Sequence, residues 1–355
     1  MTLQILVPQY KEDENVIKNL LNSINVQQGL DLPNTVKVII VNDGSDVHLK
    51  KSFLNKYSFP IEYHKDPHRG IAGTRNALLN YADADYIMFC DADDMFCSAV
   101  ALFSILHSAE QGEFDELVSY FYTEGFLPTG KLVFSESQKI IHPFIHGKAY
   151  RLAYLNENNI RFNESVNYHE DVYFSFLAHS CAGTVKMLPQ YTYIWKSNPN
   201  SVTHQENFSI KNYHDSLNVI GLVCDELVQR GHLADARFYF TCCLFNTFTF
   251  AHTAPWLMQI GNEYWLDVCN WLRWLWTDRG ELLFNQYDPQ TLQKIWNDTI
   301  EGAYKDGVFP KGFLKESFNE WFVDMLNNNG QNSLTLYSDF LKSIEQQNKN
   351  FSIGQ

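Results

Sequence analysis

Three short apolar runs near the start of the chain each lead into a polar loop, and segments with helical spacing separate them. The runs cover residues 3–8, 36–41 and 85–90. Apolar runs of this length with polar flanks are typical of buried strands. Strands that alternate with helices predict an α/β fold with a mostly parallel sheet flanked by helices.

Polar loops follow the three predicted strands at residues 9–12, 42–46 and 91–94. Because the carboxyl ends of parallel strands meet at one edge of a sheet, we expect these loops to lie together where ligands bind. The third loop places three carboxylates within four residues. Such hard oxygen ligands suit Mg²⁺ or Mn²⁺ that bridges carboxylates to phosphate oxygens, and a solvated acidic turn is the alternative.

The sequence changes character near residue 205, where strand-like alternation gives way to helical periodicity. We expect a catalytic domain over residues 1–204 and a helical accessory region over residues 205–355, serving acceptor binding or oligomerisation. Seven of the eight tryptophans lie in the second part, and residues 265–276 are apolar nearly all round. Such a cluster favours a buried core or a subunit interface over a sugar-stacking platform. A homo-oligomer formed through this region is one expectation.

Composition limits the class of partner. The net charge of −14 argues against tight, non-specific binding to nucleic acid. No apolar stretch reaches the length of a membrane span, and the first residues lead into a strand without a basic segment. The seven cysteines include no CxxC pair, which favours free thiols in a reducing compartment over structural zinc. We expect a cytoplasmic protein, either free or docked at the inner face of the membrane.

Five blocks of sequence follow one another in a specific order. They are VPQY at 7–10, VNDGS at 41–45, the segment 70–76 with Arg75-Asn76 at its core, DADD at 91–94, and the series 147–150, 159–162 and 169–171. In this order the chain resembles a family-2 glycosyltransferase of the GT-A fold. His68 and Arg69 stand where that family usually has Asn. The resemblance covers about the first two hundred residues, and the remainder matches no module known to us.

The resemblance implies binding of a UDP-sugar donor. The implied donor-binding residues are Pro8, Tyr10, Glu12, Asp43, Arg75, Asp91 and Ala92. The first three would line the nucleoside pocket, and Asp43 would accept a hydrogen bond from uracil N3. Because uracil N3 is a donor, a carboxylate there favours UDP over GDP or CMP. Arg75 would reach the uracil or the diphosphate.

The resemblance also implies a Mn²⁺ or Mg²⁺ ion. Asp93 would bind the ion directly, and Asp91 would face the ion or the ribose. In some relatives a histidine from a later loop completes the metal site, and His204 is the candidate here, with a surface histidine as the alternative. The ion would offset the charge that develops on the departing diphosphate.

The acids of the last block are the candidates for catalysis. By resemblance, Asp171 would act as general base on the acceptor hydroxyl, and a single displacement would invert the anomeric configuration. Glu170 would position the acceptor or support Asp171. The alternative is that both acids only favour a helix N-terminus. His169 would contact acceptor or phosphate. His142 and His146 have the spacing of a helical metal pair, but Pro143 between them argues against one.

Other functions remain open. A nucleotidyltransferase needs a glycine-rich phosphate loop after the first strand, and residues 7–15 contain no glycine. A non-catalytic nucleotide-sugar-binding scaffold is the second alternative. The expected acceptor is a glycan or surface polymer, either a polysaccharide or a teichoic-type polymer. An acceptor outside this class, such as a modified nucleic-acid base, is the third alternative.

Overall fold

The computed structural model describes residues 1–127, 129–166, 168–198, 208–253, 262–305 and 316–327. Within these ranges, it describes the backbone alone at residues 208–213, 249–253, 262–268 and 301–305. The chain divides into two compact units, Met1–Phe208 and Ser209–Gln355. The sequence-based boundary lies at residues 204/205, and the functions assigned to the two parts stay predictions.

The first unit contains a nine-stranded sheet and seven helices among its described residues. The strands are β1 (Leu3–Gln9), β2 (Val36–Asp43), β3 (Ile61–Asp66), β4 (Tyr86–Phe89), β5 (Met95–Phe96), β6 (Glu116–Phe126), β7 (Leu132–Ser137), β8 (Lys148–Arg151) and β9 (Val185–Trp195). The helices are α1 (Glu14–Asn25), α2 (Leu32–Thr35), α3 (Lys51–Leu54), α4 (Gly70–Tyr81), α5 (Ala101–Glu110), α6 (Leu152–Glu157) and α7 (Glu170–Cys181).

The sheet is parallel in its first half and mixed in its second. Its strand order is β3-β2-β1-β4-β8-β6-β9-β5, with β7 paired to β6. Strands β1 to β4 pair in parallel, as the alternation of strands and helices predicts. Strand β8 runs antiparallel to both β4 and β6, so β6 again points in the direction of β4. The carboxyl ends of β1, β2, β4 and β6 therefore face one edge, which we call the carboxyl edge.

Helix α7, which begins with the candidate site residues Glu170 and Asp171, packs on one particular face of the sheet. Glu116 of β6 and Tyr150 of β8 are register partners, so their side chains share one face. Phe174 of α7 contacts the Tyr150 ring at 5.4 Å, and His179 of α7 lies 2.5 Å from Glu116. Helix α7 therefore packs on this face, which we call the α7 face. The buried core cluster on the other face includes Leu117 and packs with α1 and α5.

The second unit is helical in its described residues. Its helices are α8 (Phe208–Gln229), α9 (Leu233–Thr253), α10 (Asn262–Thr277), α11 (Gly280–Leu283), α12 (Pro289–Lys305) and α13 (Phe318–Asn327). Trp321 is fully buried, and Trp296 packs edge-on against Phe245 at 5.0 Å. These aromatic side chains build the core of the unit, whereas Trp274 is 45% exposed. Among the residues described, no helix combines the length and apolarity needed to cross a membrane.

Candidate active site

Arg75 joins two acidic segments that are far apart in the sequence. Its guanidinium donates to Asp91 at 2.8 Å and to Glu170 at 2.5 Å. Arg75 lies on α4, Asp91 follows β4, and Glu170 begins α7, so three elements meet at the carboxyl edge. Burial alone lowers the pKa of Arg75, but the two neighbouring carboxylates outweigh it and hold the pKa above its usual range. The same pairing lowers the pKa of Asp91 although burial opposes this.

Asp171 lies beside this pair without an ion-pair partner among the described residues. It is half-buried, and desolvation together with the charge of Glu170 raises the pKa of its carboxyl to about 7. The charge of Arg75 opposes that rise without cancelling it. A carboxylate with this pKa is matched to proton transfer near neutral pH.

The turn before α7 holds a residue in an unusual backbone conformation. His169 has φ 62° and ψ 25°, the left-handed region that a histidine seldom occupies. This conformation lets the chain turn sharply into Glu170, and it places the two acids at the first turn of α7. Strain of this kind in a side-chain-bearing residue clusters at functional sites.

A group of potential metal ligands lies next to Arg75. Ligand atoms of Asp91, Asp94 and His146 all lie within 4.8 Å of one another. His146 is buried with its Nδ1 unpartnered, 4.0 Å from Asp94. Burial, with the charges of Arg75 and Lys148, lowers its pKa to about 4, so the ring is neutral and offers a lone pair. Two carboxylates and a neutral imidazole fit a divalent cation.

Asp93 and Asp94 have different surroundings. Asp93 accepts a hydrogen bond from the Asn198 side chain at 2.7 Å. Asp94 is fully buried and accepts from the Tyr193 hydroxyl at 2.6 Å and the Lys196 amide at 2.7 Å. Burial and the neighbouring acids raise the pKa of both carboxyls, that of Asp94 much further. Asp94 thus ties the acidic loop to the end of β9.

The loop after β2 is anchored by Asp43. Its carboxylate accepts from the backbone amides of Arg69 at 2.7 Å and Gly70 at 3.0 Å, and lies 2.8 Å from the His68 ring. Gly44 has φ 73°, and a Cβ there would lie 2.6 Å from the His68 backbone nitrogen. Asp43 therefore fixes the start of α4, and its predicted contact with uracil stays a prediction.

The loop after β1 presents an aromatic ring beside the same place. Tyr10 is 41% exposed and stacks on His68 with 4.9 Å between ring centroids. Glu12 accepts from the backbone amide of Tyr10 at 2.7 Å, which fixes the loop. Pro8 is buried at the end of β1 and Ala92 is buried in the acidic loop. The predicted nucleoside-pocket residues thus lie at the carboxyl edge, although Glu12 serves the loop itself.

Sequence reasoning set aside one histidine that the structure brings to the site. His146 belongs to no helix; it is held between the rings of Tyr193 at 5.3 Å and Trp195 at 5.0 Å. The relevant signal was its position just before Gly147, whose φ of 67° turns the chain into β8. His142 is also buried and packs on the Phe121 ring that His146 contacts, but it does not belong to the group of potential metal ligands. The predicted ligand His204 lies outside the described residues.

Comparison with known proteins gives one family. Residues 4–158 match the model of glycosyl transferase family 2. A glycosyltransferase of Bacillus subtilis, EpsJ, is 27% identical over 222 residues, which are 57% of this chain and 62% of the relative. The poly(ribitol-phosphate) β-N-acetylglucosaminyltransferase TarS of Staphylococcus aureus is 26% identical over 206 residues, covering 55% of this chain and 35% of the relative. The chain thus matches less than two thirds of the length of either relative.

Solved structures share the fold. The crystal structure of S. aureus TarS 1–349 in complex with UDP superposes with a TM-score of 0.60 at 20% identity, covering 86% of this chain and 92% of that one. The same protein in complex with UDP-GlcNAc superposes with a TM-score of 0.61. At this identity the likeness concerns the fold, and it extends beyond the segment that the family model matches.

Proposed function

Through residues 4–158 this chain belongs to glycosyl transferase family 2, and it has the GT-A fold; on that premise we propose that it transfers a sugar from a UDP-sugar to a hydroxyl group of a polymer acceptor. The observation that carries the proposal is the contact of Arg75 with both Asp91 and Glu170. It joins the donor-side and acceptor-side blocks of the family into one site. Relatives named for poly(ribitol-phosphate) and for poly(glycerol phosphate) support a polymer as the class of acceptor, and they do not determine the repeating unit of this chain's acceptor.

The donor half of the site is the loop cluster around Tyr10 and Asp43. The exposed Tyr10 ring offers a stacking surface for a base, and a carboxylate at Asp43 suits a donor at uracil N3. Structures of TarS with UDP and with UDP-GlcNAc support a UDP-sugar as the donor. By the family resemblance, the acidic loop at Asp91 to Asp94 would face the diphosphate.

The reaction that fits the site is a single displacement. The acceptor oxygen attacks the anomeric carbon while the bond from that carbon to the diphosphate oxygen breaks, and UDP leaves. Asp171 takes the proton of the acceptor hydroxyl, which a carboxyl with a pKa of about 7 can hold and release. Glu170, fixed by Arg75, sets the position of α7 and so of Asp171. Attack from the face opposite the diphosphate inverts the anomeric configuration.

The residues present fit a divalent cation. Asp91, Asp94 and His146 form a compact donor group with an unpartnered imidazole nitrogen, and Asp93 lies beside them. When bound, Mn²⁺ or Mg²⁺ would neutralise charge on the departing diphosphate. Within the protein, Tyr193 and Asn198 orient the carboxylates of Asp94 and Asp93 for this purpose.

The test is UDP release from a panel of UDP-sugars with Mn²⁺ or Mg²⁺, first without acceptor and then with candidate polymers. We expect release with one donor and a stimulation by one polymer. UDP that binds tightly while no donor turns over with any polymer would instead identify a nucleotide-sugar-binding scaffold. Turnover that persists fully in a chelator would contradict the metal dependence.

A further inference from the structure

An aromatic surface on the α7 face lies beyond the residues assigned above. Tyr120 and Tyr122 of β6 alternate in step with Glu116, so their side chains lie on the α7 face. Tyr120 is the register partner of Tyr191 on β9, so Tyr191 lies on the same face. Glu124, which also lies on this face, is the register partner of Phe134 on β7, so Phe134 lies there as well. We call Tyr120, Tyr122, Tyr191 and Phe134 the aromatic ladder.

The rings of the aromatic ladder contact one another in series. Tyr122 stacks on Tyr191 with 4.2 Å between centroids and 11° between planes. Tyr120 meets Tyr191 edge-on at 5.3 Å, and Phe134 meets Tyr122 at 6.0 Å. The Tyr191 hydroxyl donates to Glu136 at 2.6 Å, which fixes its ring. Mutual packing holds these rings in place before any ligand binds.

The aromatic ladder remains open to solvent. Phe134 is 48% exposed, and its neighbours on the same face, Phe126 and Leu132, are 57% and 44% exposed. The three tyrosines are half-buried. Exposed apolar side chains that are grouped on one face of a sheet indicate a binding site more strongly than single exposed side chains do.

The aromatic ladder lies at the level of the candidate base. His179 of α7 contacts Glu116 of β6, and Glu170 lies nine residues earlier in the helix. Nine helical residues rise about 14 Å, and the four strand residues from Glu116 to Tyr120 rise about 13 Å. The N-terminus of α7 therefore ends at about the height of Tyr120. Tyr120 and the first turn of α7 therefore share the α7 face and lie at about the same level, and Phe134, opposite Glu124, lies further toward the carboxyl end of β6.

The charges on this surface select the class of ligand. The side chains that share the face with the upper part of the aromatic ladder include Glu124 and Glu136, and none on these strand positions of β6 and β7 is basic. A phosphate polymer or an anionic lipid surface would meet two carboxylates there. Uncharged sugar rings would instead place their apolar faces on the aromatic rings and their hydroxyls on the carboxylates.

We propose that the aromatic ladder is the acceptor-binding platform of this protein and that the acceptor segment it holds is a chain of uncharged sugar rings. This proposal rests on the proposed function, because it assumes that the aromatic ladder holds the acceptor chain next to Asp171 for transfer. The aromatic ladder contains none of the residues assigned to donor binding. Substitutions in it should therefore change the binding of the acceptor and leave the binding of the UDP-sugar unchanged.

The test compares two substitutions of one exposed residue. Phe134→Leu keeps an apolar side chain but removes the ring, and Phe134→Trp keeps a ring. We expect Phe134→Leu to raise the KM for the polymer acceptor about tenfold, which equals about 1.4 kcal/mol. We expect the acceptor KM of Phe134→Trp to stay within about twofold of that of the parent, because this variant keeps an aromatic ring for stacking. The KM for the UDP-sugar and the acceptor-free release of UDP should not change in either variant.

Direct binding separates this proposal from the proposed function. Saturation-transfer NMR with maltohexaose, cellohexaose and chitohexaose should show saturated ring protons for at least one glycan, lost in Phe134→Leu and kept in Phe134→Trp. A glycerol-phosphate hexamer should show none. Glycan binding without any UDP release would overturn the proposed function and leave the platform standing.

Three kinds of result would overturn the proposal that the aromatic ladder binds the acceptor. The first is an acceptor KM that Phe134→Leu leaves unchanged, or no signal from any of the three glycans. The second is a change of oligomeric state in Phe134→Leu by light scattering, which would make the surface a contact between copies of this chain. The third is loss of binding to vesicles of anionic phospholipid in the same variant, which would make the surface a membrane contact.

Discussion

Two buried networks of charge lie in the first unit, and they are built on opposite principles. Around Arg75, one cation serves Asp91 and Glu170, and Asp171 lies nearby with a raised pKa. Around Glu116, one carboxylate is held by two bases, Lys148 at 3.2 Å and His179 at 2.5 Å. The first network has an excess of acid, and the second satisfies its only acid twice.

This difference in the pairing of acids and bases distinguishes a candidate catalytic network from a structural one. Burial raises the pKa of Glu116, but Lys148 and His179 outweigh it and the net pKa is lowered. That pairing fixes β8 and α7 to β6. In the Arg75 network Asp171 has no ion-pair partner among the described residues, and it lies at the carboxyl edge, where the proposed acceptor would approach. An acid without a paired base at the carboxyl edge, such as Asp171, therefore indicates a catalytic site better than a fully paired buried acid, such as Glu116, does.

The largest effect is expected from removing the surplus acid. Asp171→Asn keeps the shape of the side chain but removes the base, so transfer should fall by about 10³-fold, within the range of general-base catalysis. Affinity for UDP, measured by calorimetry, should stay unchanged. The matched control is Asp115→Asn, at a half-buried acid that precedes β6, opposite the carboxyl edge, and pairs with Arg151; it should leave transfer unchanged. Near-normal transfer in Asp171→Asn would remove Asp171 from the role of base.

The Lys148 network is expected to respond in stability instead. Lys148→Met leaves Glu116 with one base in a fully buried site, and loss of one partner of a buried pair costs about 3 kcal/mol. The thermal midpoint of the first unit should fall, while the KM for the UDP-sugar, measured well below that midpoint, should hold. The control is Lys18→Met, at an exposed lysine, which should change neither quantity. An unchanged midpoint in Lys148→Met would contradict the structural role.

The strands and their loops were accessible from sequence because apolar length and polar boundaries determine them locally. The run 85–90 predicts a buried strand before an acidic loop, and β4 with Asp91 confirms it. The contact of Arg75 with Glu170 joins residues that are 95 apart, which no local spacing reveals. Only the family resemblance placed both residues in one site.

The second half of the sheet was harder to predict. Its antiparallel strand β8 is short, and the reversal that brings it between β4 and β6 depends on long-range pairing. His146 was set aside because Pro143 excludes a helix, yet an irregular loop carries it to Asp94. The aromatic ladder was missed for a related reason, since β9 contributes Tyr191 only through a bulge beside Tyr120.

The smallest effect, and the sharpest contrast, is the dependence on pH. Asp171 must be deprotonated to act as a base, so with a pKa of about 7 transfer should rise about tenfold from pH 6 to pH 8. The same raised pKa means that the folded state binds this proton more tightly than the unfolded state. The free energy of unfolding contributed by Asp171 should therefore fall as the pH rises from about 4 to about 7.

Glu116 should show the opposite sign. Its folded pKa is lowered, so its stabilising contribution is present above the unfolded value and is lost as the pH falls through the folded one. The measurement is the pH dependence of the thermal midpoint in the parent, in Asp171→Asn and in Glu116→Gln. The parent should lose its disadvantage relative to Asp171→Asn at low pH, and lose its advantage over Glu116→Gln there. If both differences moved in the same direction, the two networks would not be distinct in the way their charges indicate.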